Sequence, residues 1–456
     1  MKLLVISEHI APMNTVASLR WTKLGKYLNK QFDVQLDILT TKKHYSDQKK
    51  LKATLRRYDE VLAKDLKFFN RTYEIPETIF VKAIDQAFRL ADSAISFIGK
   101  FSRLKPSKGT LSKDQNNSSN NSSLFNVLYG KGLELQGLAL KRSVATKMEI
   151  PWDEYDAIIS SFGPSWVHGC GKALKKGLPE IIWIADFRDP TTGIHDVSKK
   201  HKADYVKITC SDANAITATS QGTLEKLNVP QGIPVFEITN GFDPEEFTSR
   251  QRVKNDKFIL SYTGTMYNEG ERKSDLHPLL RALSSLIDEG LVLKEDVEVD
   301  YIGRSSALFK DQISTYKNIP WVDKGFVSRE ESMKLQSMSS LLIICVWNTV
   351  NAQGVIAAKL YEYFCSGAPL VGICSGNMAG SKTKEMIVGS NMGVCYEEAC
   401  KEGDYVLLKQ FLKNKYDEWK QQGMTSCQQN NNYISQYGYD ELARRYYEIL
   451  QSLKSL

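Results

Sequence analysis

The stretch AAKLYEYFCSGAPLVGI, residues 357–373, reads as a short helix, a break at Gly367 and Pro369, and a buried strand from Leu370 to Ile373. Lys359 and Glu362 stand three residues apart in it, so they share one helix face. Alone, such a couple reads as a solvated ion pair; beside a phosphate it becomes a binding device, because the helix start near Ala357 also offers backbone N–H groups to an anion. A second run, YTGTMYNEGERKSD, follows a buried strand. It supplies Gly264 and Thr265 for close backbone approach to a phosphate, with Arg272 and Lys273 to neutralise it. In the N-terminal half, APMNTVASLRW opens a helix with small residues and places Arg20 to meet an anionic group. SFGPSWVHG sets His168 near a strand-to-helix junction, where a lone histidine is either structural or polarising. IADFRDP ends a hydrophobic strand on Asp186, Arg188 and Asp189, and a strand-end carboxylate is costly unless it has a task.

The elements that carry these residues alternate. KLLVIS, then a helix over 17–29, then DVQLDILT make a βαβ start, which implies a parallel sheet. The rhythm stops at Thr41 and resumes with DAIISS, a helix over 165–176, IIWIADF, AITATS and VFEITN. NGFDPEEFTSRQRVKND reads as a linker. A second series follows: FILSYTG, a helix over 275–289, VEVDYIG, a helix near 306–316, IPWVDKGF, a helix from a Ser328/Glu331 capping box, SLLIICVW, the stretch quoted first, and MGVCYE. The expected architecture is α/β, two doubly wound units in tandem with a ligand between them at the carboxyl ends of the strands. The boundaries are 1–234 for the first domain, with a helical insertion at about 42–150, then 235–430 for the second. A closing helix within 431–456 is expected to pack back on the first domain.

Composition is that of a globular chain of 456 residues, 42% hydrophobic and 25% charged. MKLLVIS is too short for a signal-peptide core and no run is long enough to span a bilayer, so the reading is cytoplasmic. Eight cysteines without C-x-x-C spacing read as reduced thiols. The net charge of +7 suits phosphate ligands, nucleic acid or anionic lipid alike.

Taken together, these segments resemble the retaining glycosyltransferases of GT-B fold, family 4. KLYEYFCSGAPLV is similar to that family's segment whose Glu binds the ribose hydroxyls of a nucleotide sugar, here Glu362. ITNGFDPEEF resembles its entrance to the second domain, SYTGT its first C-terminal strand and phosphate loop, and IADFRDP its D-x-R-D strand end. The resemblance implies two Rossmann-like domains facing a central cleft, with a nucleotide-sugar donor and a glycan or lipid-linked acceptor. Donor-binding residues would be Gly264, Thr265, Arg272, Lys273, Gly354, Val355, Lys359, Leu360 and Glu362. Acceptor-binding residues would be Asn14, Ser18 and Arg20, and catalytic ones His168, Asp186, Arg188 and Asp189. The family's second Glu, which contacts the donor sugar, is replaced by Gly354, so the NAQGV loop would offer backbone amides instead. A carboxylate can accept both hydroxyls of a ribose diol, at roughly 1.5–3 kcal/mol for each charge-assisted hydrogen bond.

No cofactor and no metal are expected. GNMAGSKT (376–383) misses the P-loop spacing, with three residues between its glycines and Ser381 before the lysine. EDVEVDYIG holds a D-x-E-x-D, but its alternation marks a strand with Val297 and Val299 inward. In the insertion, 112–123 is polar low complexity, and 79–105 carries an apolar stripe flanked by basic residues. That stripe either packs on the first domain or lies on an anionic membrane at the inner face of the cell membrane. The expected activity is transfer of a sugar with retention, in bacterial surface polysaccharide synthesis. The rivals are a nucleotide-sugar 2-epimerase of the same architecture and a non-enzymatic polyanion-binding protein. Nucleic acid is not expected, since no stacking platforms interleave with the basic residues.

Overall fold

The computed structural model describes residues 1–13, 15–41, 59–76, 137–144, 148–189, 204–247 and 252–455. Asn14, the 79–105 stripe and the 112–123 stretch lie outside them. The chain divides into two compact units, one of Met1–Ile238 with Ala443–Leu456, the other of Thr239–Leu442.

In the first unit, continuous apolar runs form strands β1 (Lys2–Ile6), β2 (Gln35–Thr41), β3 (Arg71–Ile75), β4 (Ala157–Ser161), β5 (Ile182–Phe187), β6 (Ala215–Ala218) and β7 (Val235–Glu237). They pair in parallel, in the order β3-β2-β1-β4-β5-β6-β7. Near-complete burial of β1, β4 and β5 is what a sheet covered on both faces demands. Helix α1 (Val16–Phe32) starts at Thr15, whose hydroxyl accepts from the Ser18 N–H, and stops at Asp33 in the left-handed region. Helix α2 (Trp166–Gly177) follows β4. Residues 443–456 pack on this unit: Tyr446 meets Trp21 edge-on at 5.2 Å and Tyr447 stacks on Phe32 at 4.3 Å.

The region expected to be a helical insertion contributes β3, an edge strand paired with β2. Its RTYEI is short and largely exposed, so it lacks the apolar run that betrays a central strand.

The second unit begins with α3 (Pro244–Phe247). Its sheet comprises β8 (Phe258–Thr263), β11 (Val297–Ile302), β12 (Trp321–Gly325), β13 (Leu341–Trp347), β14 (Leu370–Ser375) and β15 (Gly393–Glu397). A two-stranded hairpin, β9 (Asn268–Glu269) and β10 (Arg272–Lys273), follows β8. All sheet pairs are parallel, in the order β12-β11-β8-β13-β14-β15. Its helices include α4 (His277–Asp288), α5 (Arg329–Met338), α6 (Lys359–Phe364), α7 (Lys382–Gly389) and α8 (Lys401–Gln422), and most of the last helix, α9 (Tyr439–Lys454), belongs to the first unit. Ser328 caps α5 by accepting from the Glu331 N–H at 3.1 Å.

The segment expected to be a linker is anchored where it is described. Phe242 N–H donates to Tyr437 O and Tyr439 N–H to Phe242 O. A Cβ at Gly241 would lie 2.3 Å from Tyr437 O, so only glycine fits. Arg252, half-buried, donates to the carbonyls of Ser339 and Thr425.

In each sheet the strand order reverses beside the first strand, β1 or β8. Such a reversal leaves a crevice outside the carboxyl ends where ligands bind in doubly wound folds.

Candidate functional site

In the second unit the reversal lies between β8 and β13, and α6 is the element that reaches it. Tyr363 is fully buried; its hydroxyl bonds Thr263 Oγ1 at 2.9 Å at the end of β8 and donates to Ile343 O of β13 at 3.2 Å. One turn earlier on the same face, Lys359 lies over Gly264. A Cβ there would fall 2.4 Å from Lys359 Cε and 2.5 Å from Nζ. The ammonium also sits 4.6 Å from the Tyr262 ring centroid. Burial pushes the Lys359 pKa down to about 8, against the opposing pull of Cys345 and Glu362. Among the described residues no carboxylate lies within ion-pair distance of its amine, an environment in which a lysine can take an anionic ligand.

Glu362 is not the partner of Lys359. Its Oε1 lies 3.6 Å from Nε of Arg329, and its side chain keeps 30% of its surface exposed. Arg329, on α5, donates through Nη2 to Glu246 Oε2 at 2.8 Å. Sequence reading missed both Arg329 and Glu246, and only the NGFDPEEF segment hinted at the second.

Gly264 serves the site by giving room to Lys359. Its own N–H already donates to Ile302 O at 2.6 Å and its φ of +95° favours glycine. Thr265 is exposed at the site's edge. Arg272 and Lys273 are exposed on the hairpin, with Lys273 Nζ 3.7 Å from Asp275. Glu271, between the two strands, accepts from Thr349 Oγ1 and Asn351 Nδ2 at 2.5 and 2.6 Å, tying the hairpin to the loop that carries Gly354. Three donor assignments need correction. The Val355 N–H closes a turn onto Ala352 O, and Leu360 is fully buried with its N–H on Ala357 O, so neither amide is spare. Helix α6 has only six residues, too short for its dipole to matter as expected of the Ala357 end; the lysine supplies the charge.

The two decoys have internal explanations. The Gly380 and Ser381 N–H groups of the P-loop-like stretch donate to the Glu397 carboxylate at 3.0 and 2.7 Å, and the Gly376 N–H donates to Glu398. The chain's own carboxylates fill the place of an anion. On β11, Glu298 and Asp300 share Lys324, at 3.8 and 3.2 Å, while Val297 and Val299 are fully buried. Burial pushes the Asp300 pKa up to about 6 despite that lysine.

In the first unit, several expected ligand contacts prove to be core. Asp186 is inaccessible and accepts five hydrogen bonds: Arg20 Nε (3.0 Å), Trp21 Nε1 (3.0 Å) and Ser161 Oγ (3.0 Å) on Oδ2, and Arg20 Nη2 (2.7 Å) and Thr217 Oγ1 (2.8 Å) on Oδ1. Burial raises its pKa, but the ion pair with Arg20 and the surrounding donors outweigh burial and hold it below the ordinary carboxylate range. Arg20 and Asp186 therefore satisfy each other rather than an acceptor or a reacting sugar. Ser18 is buried in the α1 cap against Thr15. His168 is buried among Phe162, Phe187 and Tyr205, with Nδ1 2.7 Å from Ser160 Oγ, which also accepts from Trp183 Nε1. Burial drives its pKa down to about 3, leaving a neutral core imidazole.

At the carboxyl ends of β1, β4 and β5 the accessible groups are others. Arg188 keeps part of its surface open and clamps the loop after β4, donating to Phe162 O and Gly163 O at 2.7 and 3.0 Å. Asp189 is exposed beside it. Glu8, just past β1 and missed in the sequence reading, accepts from Trp166 Nε1 at 2.7 Å.

No family model and no curated protein matches the chain. Solved structures do. α,α-Trehalose 6-phosphate synthase from Burkholderia multivorans superposes with a TM-score of 0.55 at 10% identity, over 100% of this chain and 99% of the other. The Escherichia coli trehalose-6-phosphate structure bound with UDP-2-fluoro glucose gives 0.54 at 10% identity, with the same coverage. A glycosyltransferase from Rickettsia africae gives 0.51 at 14% identity, over 99% and 98%. The likeness is one of fold: two parallel α/β sheets in the GT-B arrangement. Among the described residues no helix is long and apolar enough to cross a membrane.

Proposed function

We propose that the chain is a glycosyltransferase that takes a nucleotide sugar on its second unit and an acceptor on its first. The observation that carries the reading is Lys359 seated over Gly264 on the same short helix as Glu362, at the strand-order reversal of the second sheet. The GT-B fold, a glycosyltransferase among the similar structures and a UDP-sugar bound to another of them support it. The finer reading rests on the family resemblance: retention, a donor hexose, no metal, and a glycan or lipid-linked acceptor in bacterial surface polysaccharide synthesis on the cytoplasmic side.

In this reading Glu362 accepts the ribose hydroxyls, and Lys359 meets the diphosphate, with Arg272 and Lys273 at its edge. Positive charge at the leaving group acts where charge develops in the transition state. The anomeric C–O bond to the diphosphate breaks while the acceptor oxygen attacks from the same face, and the acceptor proton passes to the departing diphosphate. Arg188, Asp189 and Glu8 are the acceptor-side groups.

Incubation with a panel of nucleotide sugars and lipid-phosphate acceptors tests this. Release of nucleoside diphosphate coupled to a glycosylated product is the expected result. Epimerised donor without transfer, or RNA binding with neither, would replace the proposal by one of its rivals.

A further inference from the structure

Glu362 sits on a six-residue helix with nearly a third of its side chain exposed, and Lys359 on the same helix points to Gly264 instead. By themselves these elements leave the carboxylate free to rotate. What lies against it is Arg329, a planar group whose far nitrogen is hydrogen-bonded at 2.8 Å by Glu246 and whose near Nε stands 3.6 Å from Glu362 Oε1. Arg329 and Glu246 are each 15% exposed against 30% for Glu362, so the anchoring end of the relay is the more shielded one. Glu246 is itself positioned from behind: it lies on α3, whose turn is started by Asp243 Oδ1 accepting from the Glu245 N–H at 3.0 Å.

We infer that Glu246 and Arg329 form a relay that orients Glu362, making Arg329 the positioning residue for recognition of the cis-diol of the ligand's ribose. The inference rests on the nucleotide-sugar reading above. A guanidinium pinned at one end presents its Nε edge in a fixed direction, which a flexible lysine does not do. It draws one carboxylate oxygen toward itself and sets the plane of the group. The other oxygen and the remaining lone pairs then face the incoming hydroxyls, so less freedom is lost on binding. The 3.6 Å separation is an ion-pair distance rather than a hydrogen bond, so Arg329 steers Glu362 without consuming its acceptor capacity.

The relay predicts a loss confined to the ribose. Calorimetry with UDP, GDP and ADP identifies the base bound by the wild-type chain, and the matching 2′,3′-dideoxynucleoside diphosphate serves as the second probe. Arg329→Met is expected to weaken the ribose ligand about tenfold and the dideoxy ligand less than twofold, and to add less than twofold in a Glu362→Gln background. Arg329→Lys should recover part of the loss. Should Arg329→Met fail to fold, Glu246→Gln decides, with an expected loss of about threefold that is again limited to the ribose ligand. Equal weakening of both ligands, or no weakening, overturns the relay while leaving the ribose reading intact. A wild type that does not distinguish ribose from dideoxyribose overturns both.

Discussion

Lys359 occupies the space that a side chain on Gly264 would need, with its Cε 2.4 Å from where that Cβ would stand. The glycine and the lysine thus define one feature, a partly buried ammonium at the end of β8, and the glycine cannot gain a side chain without moving the lysine. Gly264→Ala must both displace the lysine and hold φ near +95°, which costs a non-glycine residue roughly 1–2 kcal/mol. The expected outcome is a lower melting temperature together with nucleoside-diphosphate affinity reduced tenfold or more, read by thermal melts and calorimetry on the same sample.

The depressed pKa of Lys359 makes two opposite demands on pH. Free lysine titrates at about 10.4, and burial brings this one down to about 8. Between those values the unfolded chain holds the extra proton, so stability rises with pH across that window. Binding of the diphosphate needs the charged form, so affinity falls as pH rises through about 8. Denaturant midpoints and titrations from pH 7 to 10 should move in opposite directions, and Lys359→Met should flatten both.

Arg20 and Asp186 predict a stability defect in place of a substrate effect. Removing one partner leaves the other buried and uncompensated, at about 3–5 kcal/mol. Arg20→Met and Asp186→Asn should unfold at much lower denaturant, and on the proposed function any surviving folded protein should keep its acceptor KM. Since the folded pKa of Asp186 lies below the ordinary value, its contribution is present above about pH 4 and lost as pH falls through the folded value. Acid titration of wild type against Asp186→Asn checks that window.

Strand periodicity was readable wherever a strand is buried on both faces, as in IIWIADF or SLLIICVW, because parallel central strands need unbroken apolar runs. RTYEI escaped notice because an edge strand is free to be polar. The site divides in the same way. Lys359 and Glu362 stand together in one helical turn, where spacing reveals them. Arg329 and Glu246 reach Glu362 from distant segments, and no local pattern links them. Asp186 looked functional because a carboxylate ending an apolar strand is costly, and His168 because it stands near a strand-to-helix junction where the resemblance implies a polarising histidine. Ser160 engages Nδ1 of the histidine, and Arg20, Trp21, Ser161 and Thr217 satisfy the carboxylate, which only three-dimensional contact can show.

On the proposed function, the second unit reads a nucleotide through Glu362. Calorimetric titration of UDP, GDP and ADP into wild type and Glu362→Gln tests it most directly. One of them is expected to bind the wild type, and the variant, with an unchanged melting curve, to lose roughly 1.5–3 kcal/mol of that affinity, the scale of one charge-assisted hydrogen bond. A folded Glu362→Gln variant that binds as tightly as wild type would contradict it.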